Sequence, residues 1–302
     1  MLTFLLNAHP QVATVGELAP TAVGDLDRYR CSCGAGFKEC GFWQWLCQAA
    51  REQGIPFRME DFGTRFWMPE SAVVTRLLRP LHRGPGLELL REAGLHCHPA
   101  WNRRRQAIAR ANTVVVRLVL GYYQSRMFVD KGNTALRLKH LLRIPAFDVS
   151  VIRLIRDGRA VTLAHMNPAQ FADARNPDLR GDRVGEGKQL RAAAYEWRRS
   201  NEEAEHALAR LDDARKIEVR YERLCVDTDA EMRRIFAFLG LDEVRRAGDF
   251  RSVEHHVVGN GMRLDAISEV SLDERWRSVL SAAHLREFDA VAGEMNRRYG
   301  YE

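Results

Sequence analysis

Short β-branched runs alternate along this chain with stretches whose apolar residues return every three or four positions, and the order of the two patterns predicts the fold. Residues 11–18, QVATVGEL, read as a short strand after the break at His9-Pro10. Residues 103–124 are helical in pattern, Met127 to Asp130 form a short apolar strand, and Thr134 to Leu142 form a helix closed by Ile144-Pro145. Val149 to Ile155 is nearly continuous in β-branched residues, as suits a parallel strand covered on both faces. Leu190, Ala194, Trp197, Ala204, Leu208 and Leu211 recur at helical spacing and predict one long amphipathic helix over 186–211. Ile217 to Tyr221 reads as another strand, and Asp227 to Leu239 as a helix with an acidic cap, ended by Gly240. Asp273 to Arg298 closes the chain as a helix or helix pair. Strands alternating with helices predict an α/β protein with a central parallel sheet flanked by helices.

Residues 25–100 are the least regular part, broken by Pro56, Pro69, Pro80, Pro85 and Pro99. We expect one domain over residues 1–302, with a helical cap inserted at about 25–125. Trp43, Trp45, Phe57, Phe62, Phe66 and Trp67 crowd that insertion. Large aromatic side chains prefer burial, so they are expected to fill its core, although they could also line an apolar ligand pocket.

Composition adds limits. With 46% hydrophobic and 28% charged residues, a chain of 302 residues can bury a full core and lacks the charge excess of a disordered one. The formal charge of +6 comes from arginines interspersed with acidic residues, the pattern of solvated helix faces. No Lys/Arg run is long enough for a nucleic-acid tail, and no stretch reaches the ~20 apolar residues of a membrane span. The six cysteines fit reduced thiols better than a disulfide scaffold, and with no secretory signal pattern at the start the expected compartment is the cytoplasm.

Candidate chemistry sits at the turns. In an open parallel sheet, ligands lie beyond the carboxyl ends of the strands. Arg156-Asp157-Gly158-Arg159 occupies such a turn, with Gly158 giving the bend. A helix starting there would offer backbone N–H groups to an anion, and Arg156 a bidentate fork. The alternative is that Arg156 and Asp157 close the loop with a salt bridge. The Gly181 to Gln189 stretch, GDRVGEGKQ, fails the spacing of a nucleotide phosphate loop, since Gln189 stands where Ser or Thr is required. Cys31-Ser32-Cys33 with Cys40 and Cys47 invites a zinc reading, but the Cys-x-Cys gap is tighter than usual and no second knuckle follows. His255-His256 reads as a solvated turn or phosphate neighbour rather than a metal pair, for want of a matching set of carboxylates or cysteines. No metal site is expected.

Five short segments in fixed order resemble the sulfotransferase family along most of the C-terminal two thirds of the chain. They are Val129-Asp130-Lys131, the strand followed by Arg156-Asp157-Gly158-Arg159-Ala160, Arg220-Tyr221-Glu222-Arg223-Leu224, Phe238-Leu239-Gly240-Leu241, and Gly259-Asn260-Gly261-Met262-Arg263. The resemblance implies the nucleotide-kinase-like sulfotransferase fold. It also implies transfer of a sulfonate group from 3′-phosphoadenosine-5′-phosphosulfate (PAPS) to a hydroxyl or amine of a carbohydrate or small-metabolite acceptor. Arg156 and Arg263 would then hold the 3′-phosphate, with Asn260, Gly261 and Lys131 completing the donor site, and Glu17 matches a position that serves as catalytic base in relatives.

Two departures accompany it. Ala164 stands where the family usually has a serine, and neither Thr162 nor His165 can replace it, because a helix turns about 100° per residue. The family's first strand and phosphosulfate-gripping turn find no counterpart in the sequence, which starts in what resembles the helix after that turn. As written, the chain is therefore expected to bind the donor poorly and turn over little. A catalytically inert nucleotide- or partner-binding protein on the same fold is the alternative at this point.

Overall fold

The computed structural model describes residues 1–19, 26–78, 84–132, 134–167, 188–242, 250–259, 261–264 and 268–302. Asn260 and residues 181–187 of the glycine-rich stretch lie outside these. Among the described residues, four strands form two parallel pairs. β1 (Val12–Thr14) pairs with β2 (Met127–Val129), Val12 opposite Met127 and Thr14 opposite Val129. β3 (Val151–Ile155) pairs with β4 (Lys216–Arg220), Val151 opposite Lys216 and Ile155 opposite Arg220. A parallel bridge from Gly16 to Val258 adds a later segment beside β1. Helices flank the strands, so the fold is α/β, with its parallel pairing divided between two pairs.

The first pair follows α1 (Leu2–Asn7) and is fed by α2 (Gly41–Glu52), α3 (Ala72–Leu77), α4 (Pro85–His96) and the long α5 (Pro99–Tyr123). Between the pairs lies α6 (Ala135–Leu141). Crossing from β3 to β4 are α7 (Gly158–Met166) and α8 (Leu190–Leu208), followed by α9 (Tyr221–Val226) and α10 (Thr228–Phe238). The C-terminal segment breaks into α11 (Trp276–Val279), α12 (Ala282–Phe288), a π-helical turn and α13 (Glu294–Arg298). Among the described residues, no helix is long and apolar enough to cross a membrane.

Pro85 and Pro99, which read as breaks, are the first residues of α4 and α5. Proline's missing N–H has no intrahelical partner to lose at that position. The Nδ1 of His98 accepts from the Trp101 backbone N–H at 3.1 Å and caps α5, which Gln124 ends at a left-handed φ of 52°. Gly158 also differs from expectation: it opens α7 without a special backbone angle. A Cβ there would lie 2.8 Å from the Phe288 ring and 2.9 Å from that of Trp197, so glycine supplies room for helix packing where the sequence suggested a bend.

The aromatic residues of the irregular region fill a core. Phe37, Trp43, Phe57 and Phe62 are each at most 2% exposed, and the Phe62 ring lies 5.1 Å from Trp43 and 4.8 Å from Phe57. Burial of each such side chain stabilises by roughly 1.5–3 kcal/mol, with ring pairing adding about 0.5–1.5. β3 is only half covered, Leu154 being exposed, because a large cavity opens against it.

A second core at α5 and α6 holds His140, 2% exposed, stacked on Phe66 at 4.6 Å and edge-on to Trp101 at 5.6 Å. Neither ring nitrogen has a hydrogen-bond partner. Burial pushes its pKa down to about 3, so the fold holds the neutral imidazole. The unfolded chain takes up this proton near pH 6.5 and the folded chain does not, so stability falls as pH drops below ~6.5, by up to about 1.4 kcal/mol per pH unit down to ~3. Urea unfolding at pH 7 and pH 5 is expected to show a loss of about 2 kcal/mol from this group, and His140→Phe is expected to remove that part of the dependence.

Candidate functional site

Among the described residues, each of the four strands carries a candidate side chain just past its carboxyl end. Glu17 follows β1, Lys131 follows β2, Arg156 follows β3 and Tyr221 follows β4. Where parallel strands end, backbone direction and helix starts leave room for ligands.

Glu17 and Lys131 form an ion pair at 3.0 Å. Their backbones are fixed together, the Lys131 N–H donating to the Gly16 carbonyl at 2.9 Å and the Glu17 N–H to that of Val258 at 3.3 Å. Gly16 permits this at φ +76°, with a would-be Cβ only 2.3 Å from the Val258 carbonyl oxygen. Gly259 adjoins the pair: its would-be Cβ lies 3.6 Å from Glu17 Oε1 and 3.8 Å from Lys131 Nζ.

Lys131 and Arg156 line one cavity of about 1860 Å3, which separates β2 from β3 and is also bordered by α1, α5 and α8. Arg156 lies over the Tyr221 ring at 4.4 Å and donates through one terminal nitrogen to Asp273, at 3.0 Å to Oδ2 and 3.1 Å to the carbonyl. Its buried Nε has no hydrogen-bond partner. Hydrogen bonds from Arg275 and then Arg156 hold the Asp273 carboxyl well below the usual carboxylate range. Burial pushes the Tyr221 phenol up to about 12, against the opposing charge of Arg156.

The neighbouring helix start engages three of its N–H groups within the protein. The Arg159 N–H donates to Asp157 Oδ1 at 2.9 Å, the Gly158 N–H to Asn296 at 2.9 Å and the Asp157 N–H to Glu222 at 3.0 Å. Those three N–H groups are thus held within the protein, and Asp157 pairs with Arg159, leaving Arg156 to Asp273.

Arg263 stands elsewhere, on the 3₁₀ turn Gly261–Leu264. It is buried over the Tyr29 ring at 3.9 Å and donates to the carbonyls of Arg30 at 2.9 Å and Gly259 at 2.8 Å. The Tyr29 hydroxyl in turn donates to the Gly259 carbonyl at 2.9 Å. Arg263 thus buttresses the loop that carries Gly259 beside Glu17 and Lys131, while Arg156 faces the cavity. Asp273, Tyr29 and the support role of Tyr221 escaped sequence reading; Tyr221 carried a usable signal, its position right after a strand.

A second cluster adjoins this loop. Cys31, Cys33, Cys40 and His256 bring their side-chain ligand atoms within 4.8 Å of one another. Hydrogen bonding from Cys31 and from His256 draws the Cys40 thiol down to about 4, and the shared contact and burial drive that of Cys31 upward.

Comparison with known proteins gives the family. The model of the Sulfotransferase family matches residues 70–245. No curated protein sequence matches the chain. Among solved structures it is similar to the sulfotransferase domain from the curacin biosynthetic pathway, at 15% identity and a TM-score of 0.48, over 100% of this chain and 93% of that one. It is likewise similar to the sulfotransferase domain from the Synechococcus PCC 7002 olefin synthase, at 19% identity and a TM-score of 0.48, over 100% and 90% of the two chains.

Proposed function

Because this chain belongs to the sulfotransferase family, we propose that it moves a sulfonate group from PAPS to a hydroxyl or amine of a carbohydrate or small-metabolite acceptor. The observation that carries the reading is the placement of Lys131 and Arg156, from two different strand ends, on the wall of one cavity. The residues fit an anionic nucleotide there. Among the described residues the buried Nε of Arg156 has no partner, and Asp273 engages one terminal nitrogen, leaving the other for a phosphate. Stacking on Tyr221 orients the guanidinium plane.

The donor would supply an activated sulfonate, and the chain's own residues would do the rest. Glu17 takes the acceptor's proton as the acceptor oxygen or nitrogen bonds to sulfur and the bond from sulfur to the phosphate oxygen breaks. Lys131, 3.0 Å from Glu17, keeps that carboxylate in position and sets a cation beside the departing phosphate. Gly259 adjoins the pair without a side chain, and Arg263 holds its carbonyl. Residues 25–125 would form the cap that selects the acceptor.

One observation favours a second reading, a binding protein without turnover. The N–H groups of Asp157, Gly158 and Arg159 are all engaged within the protein and offer a departing phosphate nothing. Ala164 removes a further hydroxyl.

Thermal-shift titration separates these. 3′,5′-Adenosine bisphosphate is expected to stabilise the chain more than ATP at equal concentration, and Arg156→Ala to weaken it about 10- to 100-fold, as for loss of a charged hydrogen bond. Equal shifts from both nucleotides, or an unaffected Arg156→Ala, would count against the donor site. Glu17→Gln is expected to keep nucleotide binding and to lower sulfonate transfer by about 10²–10⁴-fold. Near-normal turnover by that variant would exclude the base role, and absence of turnover in the parent chain with intact nucleotide binding would select the second reading.

A further inference from the structure

The cysteines set aside on their spacing converge in space with a histidine 216 positions beyond Cys40. Cys31 and Cys33 flank a tight turn closed by the Gly34 N–H donating to the Cys31 carbonyl at 2.9 Å, with Gly34 at φ +89°. Cys40 is the residue before α2, and His256 approaches from the segment that leads to Gly259. The contacts are 3.8 Å between the sulfurs of Cys33 and Cys40, 3.6 Å from Cys31 sulfur to His256 Nδ1, and 3.3 Å from Cys40 sulfur to the same nitrogen.

Those three lengths lie close to the edges of a metal tetrahedron, and all four ligand atoms fall within 4.8 Å of one another. With zinc–sulfur bonds of about 2.3 Å and a zinc–nitrogen bond of about 2.0–2.1 Å, sulfur–sulfur edges are about 3.8 Å and sulfur–nitrogen edges about 3.6 Å. We propose that Cys31, Cys33, Cys40 and His256 bind a zinc ion in a closed site of three sulfurs and one nitrogen, joining the 29–40 loop to the segment before Gly259.

Three further features agree. The His256 Nε2 meets the Glu254 carboxylate at 3.1 Å, which fixes the ring so that Nδ1 presents its lone pair to a metal. The imidazole also stacks on Phe42 at 4.6 Å with planes 3° apart, so its orientation is set by packing. The turn itself is tied to the histidine strand through Ser32, which donates to the His255 carbonyl at 3.0 Å and accepts from the Val257 N–H at 2.7 Å. Four protein ligands leave no open position, so the ion is structural, and soft thiolates select zinc over magnesium or calcium. Binding releases whatever protons the ligands still carry to solvent, with no change of oxidation state. A disulfide would need Cys33 and Cys40 to close from 3.8 Å to about 2.05 Å, and would leave Cys31 and His256 facing each other without purpose.

The test needs neither donor nor acceptor, so it stands apart from the transfer reading. Full-length protein purified in reductant without chelator is expected to carry about one zinc per chain by elemental mass spectrometry. Metal-free protein given Co2+ is expected to develop the visible absorption of tetrahedral cobalt with thiolate ligands. Cys33→Ser, at an exposed side chain, should lose both signals, while Cys47→Ser and Cys97→Ser keep them. Glu254→Gln, also exposed, should retain the site with metal affinity lowered about 10- to 100-fold. Zinc-free protein with no cobalt band, a band undiminished by Cys33→Ser, or a Cys33–Cys40 disulfide found by peptide mapping would each overturn the proposal.

Discussion

The arrangement of strand ends depends on one buried guanidinium, that of Arg137 on α6. Its Nε donates to Asp130 at 2.8 Å, one terminal nitrogen to the Thr64 carbonyl at 2.9 Å and the other to Asn112 on α5 at 2.8 Å. Asp130 lies between β2 and Lys131, and its other oxygen accepts from the Leu18 N–H at 3.3 Å, one residue past Glu17. Thr64 closes the ring by donating to the Leu18 carbonyl. A charge taken out of water costs several kcal/mol unless its donors are satisfied. The geometry that satisfies Arg137 therefore draws both strand ends, the loop at Thr64 and two helices to fixed positions, and Glu17 and Lys131 are held as a by-product of that requirement.

A second buried cluster does the same for the helices across the cavity. Glu203 of α8 accepts from Arg91 of α4 at 2.6 Å and from Lys139 of α6 at 2.7 Å, while Glu88 approaches both cations. α8 also lends Glu196, Ser200 and Asn201 to the cavity wall. The cavity is thus bordered by elements locked through charge pairs that tolerate little sliding, whereas apolar contacts alone would permit several nearly equal packings. This explains how a space of about 1860 Å3 stays open between two short parallel pairs.

Much of the secondary structure was legible because its signals are local. The β-branched run ending at Ile155 and the helical repeat from Leu190 need only neighbouring residues to be read, and both elements lie where the periodicity puts them. Pro85 and Pro99 misled because proline signals both a loop and a helix start, and only the following residues' hydrogen bonds decide. The family resemblance drew attention to Lys131 and Arg156, but nothing in the sequence paired Arg156 with Asp273, 117 positions away. Nor could spacing reveal that Asn296 and Glu222 occupy the N–H groups at the start of α7, or that His256 joins the cysteines. Each depends on the chain's path in space, which periodicity does not encode.

The tie between Tyr29 and Gly259 spans 230 positions. At about 5–20 residues per second, ribosomal synthesis separates the emergence of its two ends by some ten to fifty seconds. Glu17 and Lys131 are thus exposed in the nascent chain well before the segment that walls them in has been made. Closure of this side is a late, high-contact-order event, and for that interval the nascent polypeptide leaves the Glu17–Lys131 pair unwalled.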